Sequence, residues 1–485
     1  MPDQKTGPRL KYAKDGTDMR KIIKNGMLAT DADVFEADIL IEGDKIVAVG
    51  KDLDEGAEVI DAKGMYVLPG AVDVHTHMDL DVGIARAIDD FYTGTVAAAC
   101  GGTTTIVDHM AFGPKDCSLW HQVNEYHRLA DGNAVIDYGF HGVMQHPITD
   151  DRLRELQEIK EKEGISSVKI YMTYDYMLHD DEILKVLRAA KETGTVITVH
   201  CENHEVIQLL RKEFTDSGCG EAKYHPLSRP ARCEAEAVNR MIHLAAMAGD
   251  APLYIVHLSS AEGLHEVQKA RAEHRPNLGV ETCTQYLILS DSMYDDPEEG
   301  LKAIMSPPLR KDSDREELWR ALSDGGIIDT VATDHCPFHY KAGKAEKQYG
   351  KEDFTKCPNG APGVQERLML MFSEGFMKGR ISLPQLVKYC SSEPCRMFGM
   401  YPKKGSLEPG TDADIVIIDP SKTTDISTDW IRGAADYSCY EGMTLSGHIE
   451  RVYLRGEEIV RDGEFRGSRG DGRYLKRSNS ILAKH

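Results

Sequence analysis

Eight short apolar runs separated by helix-length segments constrain this chain more than any other feature. They read "AVDVHTHM", "GGTTTIVDHM", "VIDYGFHGVM", "SSVKIYMTY", "TVITVHCE", "APLYIVHLSS", "LGVETCTQYL" and "DTVATDHCP". Segments such as "DDEILKVLRAAKETG" and "CEAEAVNRMIHLAAMAG" lie between them and carry helical periodicity. Eight βα units over about 330 residues predict an α/β fold, a TIM-type (β/α)8 barrel with insertions, better than an open sheet. Barrels of this kind place their chemistry at the C-terminal ends of the strands, so polar residues there are the candidates.

The two ends of the chain have a different texture. "KIIKNGMLAT", "ADILIEGDKIVAVG" and "AEVIDAKGMYVLPG" are apolar runs broken by Asn-Gly, Gly-Asp and Lys-Gly turns, and the pattern returns in "DADIVIIDP" and "GHIERVYLRGEEIVRDGEF". Both termini are therefore expected to build one small β-sandwich domain. The expected division is a disordered extension over 1–18 and a first sandwich part over 19–70, followed by the barrel over 71–400. A second sandwich part with a subunit-contact segment follows over 401–476, and a tail over 477–485.

At 485 residues the chain can bury a sizeable core, and its formal charge of -21 disfavours nucleic acid and anionic membranes as partners. The eleven cysteines include no CxxC pair and several fall in apolar runs, which reads as reduced thiols. Neither an apolar leader region nor a run of roughly eighteen apolar residues occurs, so a cytoplasmic location is expected. No Gly-rich dinucleotide fingerprint follows a strand.

His75 and His77, two apart in "VDVHTHM", share one face of a strand and can converge on one cation while Val72 and Val74 pack outward. An isolated HxH is a weak signal. It gains weight because the fifth predicted strand ends in His200, the sixth in His257 and the eighth in Asp334. Lys169 ends the fourth, where by itself it would read as a solvated lysine on an edge strand. Among four histidines and an aspartate it needs another account. It could lose its proton by desolvation, or its nitrogen could capture carbon dioxide, giving a carbamate able to bridge two divalent ions. His335 is expected to point away from Asp334. His109, His141 and His204 show no spacing that demands metal, and Asp73 is placed to hydrogen-bond His75.

These residues, with "GAVDVHTH" and "ATDHC", resemble the cyclic amidohydrolases, in particular the dihydropyrimidinase and D-hydantoinase branch. The likeness runs from about Met19 to about Lys476 and includes "YHPLSRPARCEAEAV", "SPPLR", "PNGAPGVQERL" and "ADYSCYEGM". "DVGIARAIDDFYTGT" and "HMAFGPKDCSLWHQ" look most like the bacterial D-phenylhydantoinases. The resemblance implies two Zn2+ ions per subunit, one held by His75, His77, Lys169 and Asp334, the other by Lys169, His200 and His257, with Lys169 present as N6-carboxylysine. Two dications give about +4, which the carbamate, Asp334 and a bridging hydroxide lower to about +1, leaving the centre electrophilic.

The implied reaction is hydrolysis of the ring amide of 5,6-dihydropyrimidines or 5-substituted hydantoins to N-carbamoyl amino acids. Asp334 would act as base and then acid, and Tyr174 would donate to the oxyanion. Backbone groups of Ser306 and Asn359 would grip the small cyclic amide, and assembly as a homotetramer is implied as well. Allantoinase and dihydroorotase-like activities are the competing enzyme readings, and a non-catalytic scaffold similar to the collapsin response mediators is the competing non-enzyme one. Dihydroorotase-like chains carry an arginine where Asp79 stands here. Met78, Met110, Phe112 and Met177 are expected to surround an apolar exocyclic group.

Overall fold

The computed structural model describes residues 20–53, 56–274, 277–341 and 345–483, so the expected extension over 1–18 lies outside the described residues. The chain opens with strands β1 (Arg20–Ala29), β2 (Val34–Glu42), β3 (Lys45–Gly50), β4 (Glu58–Asp61) and β5 (Tyr66–Pro69). Eight more follow: β6 (Ala71–Thr76), β7 (Thr103–His109), β8 (Asp137–Val143), β9 (Ser167–Tyr171), β10 (Val196–His200), β11 (Leu253–Ile255), β12 (Leu278–Cys283) and β13 (Thr330–Ala332). It closes with β14 (Ile415–Asp425), β15 (Thr444–Leu454), β16 (Glu457–Arg461) and β17 (Glu464–Phe465).

Strands β6 to β13 lie side by side in chain order, each parallel to the next, with helices between them. Nearly every residue of these strands is buried, because one face looks into the barrel and the other is covered by helices. The seam between β13 and β6 is closed just beyond the strand ends. There the Asp334 N–H donates to the His75 carbonyl and the His77 N–H to the His335 carbonyl, both at 2.9 Å. Closing the barrel thus fixes the backbone of three candidate ligands.

Strands β11 and β13 are three residues long, so His257 and Asp334 do not end their strands as the sequence suggested but follow them at a distance of two residues. Both residues have positive φ, 40° and 55°, as does Tyr174 at 79°. Non-glycine residues held in this region cost about 1–3 kcal/mol each and persist where surrounding structure imposes them, commonly at functional sites.

The outer strands form one sheet in the order β17-β16-β15-β14-β5-β1-β2-β3, with β4 also on β1. The pairing of β14 with β5, Val416 opposite Leu68, is what joins the two ends of the chain. The core of this sheet contains Ile23, Ile39, Ile41, Ile415 and Ile417. A buried ammonium locks it to the barrel: Lys404 Nζ lies 2.6 Å from Asp137 on β8, 2.7 Å from Asp414 and 2.9 Å from Asp412.

The stretch expected to serve subunit contact and the tail behind it run across the floor of this chain's own barrel. The Leu475 N–H donates to the Tyr138 carbonyl at 2.7 Å, and the buried Arg477 donates to Ser167 Oγ at 2.9 Å and to the Phe140 carbonyl. Among the described residues no helix is long and apolar enough to cross a membrane.

Candidate metal centre and its cavity

A cavity of about 660 Å³ opens at the C-terminal end of the barrel, and all nine residues singled out in the sequence line it. Alternation along β6 turns Asp73, His75 and, one step past the strand, His77 to one side, while Val72 and Val74 pack outward against Phe398 and its neighbours. His75 Nε2 and His77 Nε2 both lie 3.0 Å from the same atom, Asp334 Oδ1. Donors at 2.0–2.2 Å from a common ion stand roughly 3.0–3.4 Å apart, so this spacing suits a shared divalent cation. His75 Nε2 is fully buried and makes no hydrogen bond in spite of that approach, an orphaned donor atom whose partner would be a metal.

The electrostatics agree. Burial and the Lys169 charge work against a cationic His75, yet Glu281 and Asp334 outweigh them and raise its pKa to about 9. Asp334 also stays ionised against burial, held well below the usual carboxylate range by His75 and His77. The site's carboxylates therefore favour positive charge at the point where the imidazoles meet. His77, His200 and His257 are pushed the other way, chiefly by burial, toward the neutral form that binds metals.

Lys169 does not end its strand as the sequence suggested but is the third of the five residues of β9, opposite Thr198 of β10, and is 1 % exposed. Its Nζ is 5.3 Å from the Tyr171 ring centroid, and among the described residues it makes no ion pair. Burial lowers its pKa to about 8, so a sizeable fraction of the amine is neutral near physiological pH. The neutral amine is the form that can add carbon dioxide.

Two carboxylates that the sequence reading missed orient the histidines. Glu281 on β12, fully buried, stands 2.6 Å from His75 Nδ1, accepts the His257 N–H at 3.0 Å and accepts the Tyr254 hydroxyl at 3.1 Å. It fixes the His75 tautomer that leaves Nε2 free for a cation. Glu202 stands 2.7 Å from His200 Nε2, and the buried Arg229 pairs with it, holding its pKa at about 2 against burial. Nδ1 of His200 is left for the cavity. The acid inside the apolar run "LGVETC" was the available signal for Glu281, and same-face spacing in "HCE" the signal for Glu202. Replacing such an orienting group typically costs about 10–100-fold in metal affinity or activity, and Glu281→Gln should fall in that range when metal retention is titrated against a chelator.

Asp73 hydrogen-bonds His75 as expected, but through the backbone and not the imidazole. It accepts the His75 backbone N–H at 3.1 Å and the Thr333 hydroxyl at 2.7 Å, while the imidazole belongs to Glu281. His335 points away from the cavity to Asp89, at 3.0 Å, and His141 is satisfied by the Val74 carbonyl and Ser167. His204 contacts Thr173 at 3.1 Å. His109 comes closer to the centre than its spacing suggested: its ring centroid is 4.3 Å from that of His75, and ligand atoms of His75, His77 and His109 lie within 4.8 Å of one another. Of Met78, Met110, Phe112 and Met177, only Phe112 lines the cavity; Met78 and Met110 are packed in the core. The apolar wall comes instead from Leu80, Val82, Ile84 and Tyr176, on loops whose sequence carries no strand or helix period.

Tyr174 is half-buried beside His200, ring centroids 5.2 Å apart, with burial raising its pKa so that the phenol keeps its proton. Ser306 Oγ is buried without a hydrogen-bond partner, and Asn359 precedes Gly360, whose φ of 149° and 2.3 Å clearance to the Cys336 carbonyl admit no side chain.

A closed parallel barrel whose mouth gathers histidines and a carboxylate around a divalent-metal seat defines a metal-dependent barrel hydrolase. The sequence profile of the amidohydrolase family matches residues 66–459, and the chain belongs to that family. It is 51 % identical over 461 residues to a D-phenylhydantoinase of Escherichia coli O1:K1 / APEC, covering 95 % of this chain and 98 % of that one. Among solved structures it is similar to the dihydropyrimidinase from Brevibacillus agri NCHU1002, with 43 % identity, TM-score 0.92 and coverage of 96 % of this chain and 100 % of that one. It is also similar to the D-hydantoinase from a Bacillus sp. AR9, at 43 % identity and TM-score 0.91, covering 95 % and 99 %.

Proposed function

We propose that this protein hydrolyses the ring amide of 5-substituted hydantoins and 5,6-dihydropyrimidines, releasing N-carbamoyl amino acids. The observation that carries the reading is the meeting of two histidine nitrogens on Asp334 Oδ1 in the cavity that also holds Lys169, Tyr174, His200 and His257. His75, His77, Asp334 and a carboxylated Lys169 would hold one zinc ion, and His200, His257 and the same carboxylated Lys169 a second. When bound, the metal supplies Lewis acidity, acidifying water toward neutrality and polarising the amide carbonyl.

The side chains do the rest. Asp334 accepts the proton of the attacking water and returns it to the ring nitrogen as the C–N bond breaks, so the leaving group departs neutral. Tyr174 donates its phenol hydrogen bond to the carbonyl oxygen as negative charge builds there. Backbone groups at Ser306 and Asn359 hold the cyclic amide in register, and the wall formed by Leu80, Val82, Ile84 and Phe112 receives an apolar substituent at ring position five. Assembly as a homotetramer and residence in the cytoplasm complete the proposal, both on family likeness.

Tyr174→Phe should lower kcat by about 10²–10³-fold with little change in KM, because its hydrogen bond strengthens only in the transition state. Unchanged kcat in steady-state kinetics would remove it from the reaction. A dihydroorotase-like preference is disfavoured because the position at which those chains carry an arginine holds Asp79, which accepts the Phe91 N–H at 3.3 Å and lies 3.7 Å from Arg86. Turnover of phenylhydantoin, dihydrouracil and allantoin by the same zinc-loaded preparation tests the reading. The first two should be opened, chelation should abolish both activities, and exclusive turnover of allantoin would refute it.

A further inference from the structure

Besides Lys169, Arg211 is the only lysine or arginine lining the cavity among the described residues. It stands on the helix His204–Asp216, and its Nη2 donates to the Thr355 carbonyl at 3.1 Å. No carboxylate lies within ion-pairing distance of it among the described residues, and Asp353 attracts it only from farther away, in a chain with 79 acidic residues. Two buried arginines nearby are matched: Arg229 by Glu202, and Arg310 by Glu234 at 3.9 Å. Burial, reinforced by Arg229, lowers the pKa of Arg211, so its charge is held at a cost that an anionic partner would offset.

The acids that share the cavity are not its partners. Asp334 is engaged by His75 and His77, Asp81 is 3.8 Å from Arg86, and Asp175 makes no ion pair with Arg211. A guanidinium offers five N–H donors in a planar fork that matches a carboxylate two-on-two. One of those donors is spent on Thr355. With Lys169 carboxylated, Arg211 would be the remaining fixed positive side chain in the cavity.

We propose that Arg211 binds a carboxylate of the ligand, which extends the substrate class of this cavity to cyclic amides bearing an exocyclic carboxylate. The inference rests on the cyclic-amide reading above. The same chemistry is available from a second source, the carboxylate that ring opening creates in every product, and the experiment separates the two.

The zinc-loaded wild type and the variants Arg211→Met and Arg211→Lys are compared on 5-(2-carboxyethyl)hydantoin and its neutral analogue 5-(2-carbamoylethyl)hydantoin, together with inhibition by N-carbamoylglycine. Metal content and thermal midpoint establish that each variant is folded and loaded. A fall in kcat/KM of about tenfold or more for the acid alone in Arg211→Met, partly restored in Arg211→Lys, supports recognition of the exocyclic carboxylate. Unchanged discrimination between the substrates with weaker N-carbamoylglycine inhibition assigns the carboxylate to the product. Equal effects on both substrates with unchanged inhibition overturn the proposal. A wild type that opens neither ring would instead refute the cyclic-amide reading.

Discussion

Lys169→Ala should reduce hydrolysis below detection and strip the protein of its paired metal content, while acetate or propionate added to the variant should restore part of both. The expectation follows from where the lysine sits. A buried ammonium among His75, His77, His200 and His257 would repel a divalent ion, whereas a carbamate in its place would supply two oxygens sharing one negative charge. Alanine would remove the proposed bridge, and a short carboxylate could occupy the space and mimic its oxygens. Burial, which lowers its pKa to about 8, leaves part of the amine in the neutral form that adds carbon dioxide. Metal analysis by atomic emission alongside hydantoin turnover reads both quantities. Full activity in the variant would reject the bridging role.

Asp334→Asn should lower kcat by at least about 10²–10⁴-fold, the range of a lost general base and acid, with a further loss from the weakened metal seat. Asparagine preserves the shape and the backbone hydrogen bond to the His75 carbonyl, so the barrel seam remains closed and the thermal midpoint should move little. What changes is the charge. The atom on which His75 Nε2 and His77 Nε2 converge at 3.0 Å would no longer attract a cation or accept a proton. Metal stoichiometry and kcat measured on the same sample separate the two effects: a variant that keeps its metal but not its turnover isolates the proton-transfer role. Wild-type turnover would show that Asp334 performs neither.

The barrel was legible because its strands are short apolar runs at regular spacing, and the joint sheet of the two termini because hairpin turns punctuate both ends. The metal-seat candidates were legible for the same reason, since the rule that barrel chemistry gathers at C-terminal strand ends turned His75, His77, Lys169, His200, His257 and Asp334 into one set. Local conformation was not. The positive φ of His257, Tyr174 and Asp334 comes from the packing that closes the barrel mouth, and strand periodicity has no term for it. Glu281 was invisible for a related reason. An acid within an apolar strand gains its meaning from a histidine 206 residues away, and only the folded barrel brings the two to 2.6 Å. The substituent wall was misread in part because methionines near strand ends serve the core as readily as a cavity, and Met78 and Met110 do the former.

The most direct test is a crystal structure of the zinc-loaded protein grown with bicarbonate, with data collected on both sides of the zinc absorption edge. Two anomalous peaks flanking a carboxyl group on Lys169 Nζ, one beside His75, His77 and Asp334 and the other beside His200 and His257, are the predicted result. Density that stops at the Lys169 amine, with no anomalous peak or with a single one out of its reach, would contradict the account.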